Sequence, residues 1–120
     1  MGMNINAGKI DAVEGLVSQV MLPANGPKDA KGRSQYTFVL ASPTFFVGES
    51  ARPGEKDYSV RILEGGIAES IFAKSLLETT DSLDAEALEG KYVRIAYVPQ
   101  TDKPQFSNTV LEAVQKTPFR

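Results

Sequence analysis

Cations and aromatic rings occur close together in one stretch of this sequence, KGRSQYTFVL at residues 31–40. Lys28, Lys31 and Arg33 lie in or just before it, and Tyr36 opens the alternating apolar run that follows. Such residues can bind single-stranded nucleic acid, because cations neutralise phosphates and aromatic rings stack on bases. A solvated turn leading into a β core would contain the same residue types, since exposed lysines usually serve solubility.

Six later residues are further candidates for contacts with phosphates or bases. Tyr58 begins a predicted strand, so its ring can lie at the rim of a core. Arg61, Tyr92 and Arg94 alternate with the apolar residues of their strands and are expected to project outward. Phe106, in a loop rich in Pro and polar residues, is either tucked into the core or exposed, and we favour stacking. The six are Tyr58, Arg61, Tyr92, Arg94, Lys103 and Phe106.

The residue types that most often carry catalysis are missing. The chain has no Cys and no His, which removes thiol nucleophiles, imidazole bases, disulfides and ordinary zinc sites. Neither GxxxxGK[ST] nor GxGxxG occurs, so no phosphate-binding loop of either type is predicted. We therefore expect a protein that is not an enzyme and that carries no cofactor or metal.

Charge is segregated along the chain, although the formal net charge is only −2. Residues 64–89 hold seven Asp and Glu residues and one Lys, a net charge of −6, so the rest of the chain carries +4. This pattern predicts one acidic and one basic face. The alternative is a solvated acidic helix with no further role.

The elements that must position these residues follow from periodicity and turn signals. An amphipathic helix is predicted at 66–78, and a short helical turn after it ends at Gly90. Gly15, inside the first strand, indicates a bulge or a bend. Residues 42–56 read as a long connection in which Phe45–Val47 either prolong a strand or pack as a plug. The predicted strands are 9–22, 35–41, 57–64, 91–98 and 109–116, with loops at 23–34 and 99–108.

The same periodicity predicts which residues form the core. The more apolar faces of the second and third strands carry Phe38 with Leu40 and Val60 with Ile62. On the helix, apolar residues recur along one stripe that should face the sheet. That stripe consists of Ile67, Ala68, Ile71, Phe72 and Leu76.

The order β-β-β-α-β-β resembles an OB-fold. The resemblance is carried by the bent first strand around Gly15, the helix at 66–78 and the stretch LEGKYVRI that enters the fourth strand, and it covers residues 9–116. It implies a mainly β domain over 1–120: a five-stranded OB-like Greek-key barrel with one α-helix between the third and fourth strands. A mixed α+β sheet with the same strand order is the competing fold.

With no catalytic set, the chain is similar to the small OB-fold single-stranded-DNA-binding proteins of phages and plasmids. This resemblance implies binding across the second and third strands, gripped by the loops at 23–34 and 99–108, and a role in DNA replication. Many such proteins end in an acidic tail that recruits partners. This chain ends QKTPFR, which is basic, so the resemblance does not imply that its C-terminal residues recruit partner proteins.

Two functions remain open at this point. The first is binding of single-stranded DNA, or RNA, with little sequence preference. The second is a protein-interaction or assembly module that uses the acidic helix or the Phe45–Val47 stretch. The start MGMNINAGKI has no leader pattern and no apolar run reaches the roughly 20 residues of a membrane span, so a cytoplasmic protein is expected. A homo-oligomer and a protein partner are both left open.

Overall fold

The computed structural model describes residues 10–119, which form six antiparallel strands, one α-helix and a short 3-10 turn. The mainly β class with a single α-helix is confirmed. The expectations for the start of the chain and for Arg120 lie outside the described residues. The elements are β1 (Ala12–Met21), β2 (Gln35–Val47), β3 (Ser50–Pro53), β4 (Tyr58–Leu63), α1 (Ile67–Thr80), the 3-10 turn (Ala85–Leu88), β5 (Tyr92–Pro99) and β6 (Ser107–Gln115).

The strands form one sheet in the order β3-β2-β1-β5-β6, with β4 also paired to β2. β2 is long enough for one edge to take two partners in succession. Its first half pairs with β4, from Gln35↔Leu63 to Leu40↔Tyr58, and its last residues pair with β3. The other edge of β2 pairs with β1, which in turn pairs with β5.

The predicted count of five strands is wrong, because residues 42–56 contain a hairpin. β2 continues to Val47, and Val47 pairs with Ser50 across a two-residue turn at Gly48 and Glu49. Gly48 has φ +59, a conformation that glycine adopts without strain and that two-residue hairpin turns require. Phe45–Val47 thus prolong the strand, which was one of the two options for that stretch.

The predicted irregularity at Gly15 is confirmed. The pairing of β1 with β2 shifts register between Glu14 and Leu16, because two residues of β2, Ser42 and Pro43, lie opposite the single residue Gly15. A Cβ at Gly15 would lie 3.1 Å from the Cβ of Leu40 and 3.2 Å from the carbonyl oxygen of Ala41. The close approach of the neighbouring strand therefore favours glycine here, because a Cβ would force that strand to move by a few tenths of an ångström.

The sheet path is open between β4 and β6, and α1 packs against both strands. The backbone N–H of Leu111 on β6 donates to Ser75 Oγ at 2.9 Å, and Thr79 Oγ1 donates to the Leu111 carbonyl at 3.2 Å. Side chains of the helix thus satisfy backbone groups at the edge of β6. This arrangement protects that edge from pairing with another strand.

The core lies between the inner face of the sheet and α1. Phe38, Leu40, Val60 and Ile62 are buried as predicted, and Phe72 and Leu76 are the buried residues of the helix. The predicted helical stripe is wrong at its start, since Ala68 is exposed and Ile67 is 78% exposed. Those two residues border a cleft with the loop after β5 instead of the sheet. Among the described residues, no helix has the length and apolar character needed to cross a bilayer.

Candidate nucleic-acid interface

The loop between β1 and β2, residues 22–34, is held in shape by Asp29. Asp29 Oδ1 accepts hydrogen bonds from the backbone N–H groups of Lys31 (3.0 Å) and Arg33 (2.7 Å), and Oδ2 pairs with Arg33 Nε at 2.7 Å. These bonds, first of all that from the Arg33 backbone, lower the pKa of Asp29. The positive charge of Arg33 is therefore already compensated within the loop.

Lys28 and Lys31 keep their charge available. Lys28 Nζ donates to the neutral hydroxyl of Ser34 at 2.8 Å, and both lysines are exposed. Among the ion pairs of residues 10–119, neither lysine takes part. Of the three cations predicted in this loop, Lys28 and Lys31 are thus exposed and not compensated by a carboxylate within the described residues.

The same loop lies over the outer face of β2. Gln35 Nε2 donates to the carbonyl of Pro27 at 3.2 Å, and Gly26 packs close to Met21 of β1. Thr37 pairs with Met21 and is fully buried, although it points away from the core, and its Oγ1 has no partner within the described part of the chain. The structure therefore brings the loop that carries these cations onto the outer side of the sheet.

Arg61 lies on this outer face as well. Its Cα pairs with that of Thr37, and the side chain is exposed, as predicted. Arg61 and the β1–β2 loop thus belong to the same side of the sheet, and we group Lys28, Lys31, Arg33 and Arg61 under the name basic surface.

The loop between β5 and β6, residues 100–106, carries Lys103 and Phe106. It is closed by two backbone hydrogen bonds of 2.9 Å, from Gln100 N–H to the Phe106 carbonyl and from Phe106 N–H to the Lys103 carbonyl. Lys103 is exposed, and Phe106 is 54% exposed. The ring is therefore available to solvent and does not plug the core.

The two loops lie at opposite ends of β1. Ala12, at the start of β1, pairs with Ala96 near the end of β5, whereas the β1–β2 loop follows Met21. Ten residues of strand separate them, which corresponds to about 30 Å at 3.3 Å per residue. A single ligand that contacts both loops must therefore be extended.

Two of the predicted aromatic residues are turned towards the interior. Tyr36 donates its hydroxyl to Glu69 Oε2 at 2.9 Å, and this hydrogen bond, together with burial, raises the pKa of the phenol. Tyr58 packs edge-on against Phe45 with ring centroids 5.0 Å apart, and its hydroxyl lies 3.3 Å from that of Tyr97. Burial raises the pKa of Tyr97.

Arg94 projects from the outer face of β5, as predicted, but it is engaged by other side chains. Its guanidinium pairs with Glu14 at 2.9 Å and with Glu112 at 2.8 Å, and it lies 4.6 Å from the ring centroid of Phe46. Burial opposes the charged form, yet the bonds to Glu112 and Glu14 prevail and raise the pKa of Arg94. Half-buried Tyr92, its neighbour on that face, lines a shallow cleft near the end of the described chain.

Sequence reasoning missed the carboxylates that hold these groups and an apolar cavity beside α1. Asp29 is four residues from Arg33, a spacing that local inspection can find. Glu14 and Glu112 reach Arg94 only because β1 and β6 flank β5. The cavity, lined in part by Glu69 and Leu83, had one local signal, which is the apolar Leu83 within the acidic segment.

Comparison with known protein families, with curated proteins and with solved structures gives no match to this chain.

Proposed function

We propose that this protein is a non-catalytic binder of single-stranded nucleic acid, with DNA as the ligand and little sequence preference, built on an OB-like Greek-key arrangement. The strand pairing supports the arrangement. β1 pairs with β2 and β5, β2 pairs with β4, and β5 pairs with β6. These pairings are compatible with a five-stranded OB barrel in which β3 is an added hairpin and in which β4 and β6, both within the described residues, are left unpaired with each other. α1 lies where closure would bring β4 and β6 together.

The observation that carries the proposal is the exposure of Phe106 beside Lys103. Base stacking needs an aromatic face that solvent can reach in the unbound protein, and Phe106 is 54% exposed. Large apolar side chains on a surface are ordinary when scattered singly. This one shares a short loop with a cation that forms no ion pair within residues 10–119.

The unpaired cations support the same proposal. Phosphate binding is most favourable where no existing ion pair has to break, which favours Lys28, Lys31, Arg61 and Lys103 within the described residues. Arg33 would have to exchange Asp29 for a phosphate. The ligand would then run from Phe106 across the sheet to the basic surface.

The distance between the loops predicts a length requirement. OB-folds take about 4–16 nucleotides per domain, and a ligand must be long enough to bridge two loops that are separated by about 30 Å of strand along β1. We expect affinity to rise with oligonucleotide length and then to level off once both loops are contacted.

Fluorescence anisotropy tests the proposal. Labelled oligothymidylates of increasing length, a mixed-sequence single strand, its RNA counterpart and its duplex are titrated at two salt concentrations. We expect tighter binding of single strands than of duplex and a steep loss of affinity with salt. Absence of binding to all of them at low salt would refute the proposal. Tighter binding of the RNA strand than of the DNA strand would show that RNA is the preferred ligand.

A further inference from the structure

A cavity of about 240 Å³ lies between the inner face of β2 and β4, one side of α1 and the segment before the 3-10 turn. Phe38, Phe72 and Leu76 contribute apolar walls, and Tyr36 and Glu69 contribute a phenol and a carboxylate. Leu83 lies at its rim and is 63% exposed. The cavity is therefore open to solvent and extends onto an exposed apolar side chain.

The size of the cavity argues for a side chain as its occupant. Small-molecule sites usually measure about 300–1,000 Å³, and this cavity is smaller. An apolar anchor residue of a peptide, inserted against an aromatic and aliphatic floor, is a common mode of protein recognition. The exposed Leu83 would extend that contact beyond the cavity itself.

The negative charge around the cavity indicates that the residues flanking the apolar anchor are cationic. Residues 64–89 carry a net charge of −6. Glu69 lines the cavity, exposed Glu64 comes two residues after the lining residue Ile62, and Asp84 is exposed next to Leu83. Within the described residues, no Lys or Arg lines the cavity.

Glu69 can also accept a further hydrogen bond. Its Oε1 accepts from the Gly65 N–H at 2.7 Å and its Oε2 from the Tyr36 hydroxyl at 2.9 Å. Each carboxylate oxygen can accept two hydrogen bonds. A cation of an arriving ligand can therefore bind Glu69 without displacing either partner.

We propose that this cavity docks a peptide segment of a partner protein in which one apolar side chain is flanked by Lys or Arg. The apolar side chain enters between Phe72 and Leu76 and covers Leu83, and the flanking cations meet Glu64 and Glu69. The site is built from the acidic segment and the inner face of β2 and β4. It shares no residue with the basic surface, so it does not depend on the proposed binding of nucleic acid.

Selection from a displayed library of random dodecapeptides tests the proposal without presupposing one sequence. The library is first depleted on an unrelated protein and then selected on the folded protein, so that the Leu83→Ser variant remains an independent test. Because Leu83 is exposed, this substitution should leave the fold intact. We expect enriched peptides to share an apolar residue flanked by Lys or Arg.

Matched variants then separate the cavity from the rest of the acidic segment. Affinity for the selected peptide should fall by about tenfold or more in Leu83→Ser and in Glu64→Lys. It should change by less than about twofold in Ile67→Ser and Glu78→Lys, because at about 100° per residue these positions face away from Phe72 and Leu76 on α1.

Three results would overturn the proposal. The first is that selection enriches no peptide with an apolar residue flanked by Lys or Arg. The second is that the Leu83→Ser variant binds the selected peptide as tightly as the unaltered protein. The third is that sedimentation shows a concentration-dependent dimer that the Leu83→Ser substitution dissociates. The last would assign the cavity to a second copy of the chain instead of a partner.

Discussion

The hydroxyl of Tyr36 on β2 donates a 2.9 Å hydrogen bond to the Glu69 carboxylate on α1. Glu69 in turn accepts from the backbone N–H of Gly65, which precedes the helix. One carboxylate thus links the sheet to the start of the helix. Tyr36, a sequence candidate for base stacking, is tied to the acidic side of the molecule, so its loss should affect stability before it affects binding.

Tyr36→Phe should lower the free energy of unfolding by about 1 kcal/mol at neutral pH, the usual worth of one net hydrogen bond. The pKa of Tyr36 is raised above its usual 10.0 in the folded state. Its stabilisation is therefore present below about pH 10 and is lost as pH rises through the folded-state pKa. Urea unfolding at several pH values should show a smaller alkaline decline in the variant, with Tyr97 contributing the remainder.

Tyr92→Phe is the matched control for this change, because the Tyr92 hydroxyl makes no hydrogen bond with any residue in the described range. Affinity for single strands should be the same in Tyr36→Phe and in the unaltered protein. Reduced affinity at unchanged stability would return Tyr36 to the nucleic-acid interface.

Phe106→Ala should weaken single-strand binding by about 1–3 kcal/mol, the typical contribution of one stacked base. The melting temperature should stay nearly constant, because a ring that is 54% exposed contributes little to the core. Anisotropy and thermal unfolding measure the two effects on the same samples.

Two companion variants sharpen the test at Phe106. Phe106→Tyr should retain binding, since a stacking ring tolerates a hydroxyl in water. Val98→Ala removes another exposed apolar side chain, 44% exposed at the end of β5, and should leave affinity unchanged. A fall in melting temperature of Phe106→Ala with intact affinity would show that the ring is structural.

Replacing Lys28 and Lys31 together with Ala should reduce the slope of log affinity against log salt by about 1.4, at 0.7 per neutralised phosphate for single strands. Adding Arg33→Ala should change the slope by less than either lysine does, because Arg33 is paired with Asp29 in the unbound protein. A slope unaffected by the double change would make these lysines solubilising charges. Unfolding in urea should be nearly unchanged, since exposed charges contribute little to stability.

Arg94→Ala should act on stability. It removes two charge-assisted hydrogen bonds and a guanidinium–ring contact with Phe46, and we expect a loss of about 1–3 kcal/mol in the free energy of unfolding. Arg94→Lys should recover only part, because an ammonium does not match this geometry. If Arg94→Ala instead unfolds normally but binds single strands less tightly, the residue contacts phosphate.

Local sequence patterns were sufficient to predict the buried residues of the strands and the positions of several turns. Alternation placed Phe38 and Leu40 in the interior, because the side-chain direction of a strand repeats every two residues whatever lies around it. Gly15 and Gly90 were informative for a similar reason. Gly90 has φ +86, and a side chain at Gly15 would crowd the neighbouring strand, so the residue type at each position indicates the local backbone.

The hairpin of β3 is not predicted from the sequence, where residues 42–56 are interpreted as a long connection. Pro43 lies at a bulge and Pro53 ends an edge strand, positions where a missing N–H is tolerated. The register of the hairpin depends on Gly48, whose N–H also donates to Asp11 on a distant part of the chain. Local composition could not distinguish this arrangement from a loop.

The sequence by itself determined five of the six strands, the helix, the irregularity at Gly15 and the division of charge along the chain, because each depends on residues that are near neighbours in the chain. Only the tertiary structure decided which charged and aromatic groups are available. Arg94 is neutralised by Glu14, 80 residues away, and Tyr36 is bonded to Glu69, 33 residues away, whereas Phe106 and Lys31 are exposed. Exposure and pairing depend on which strands and helices become neighbours, and that is set by packing of the whole chain.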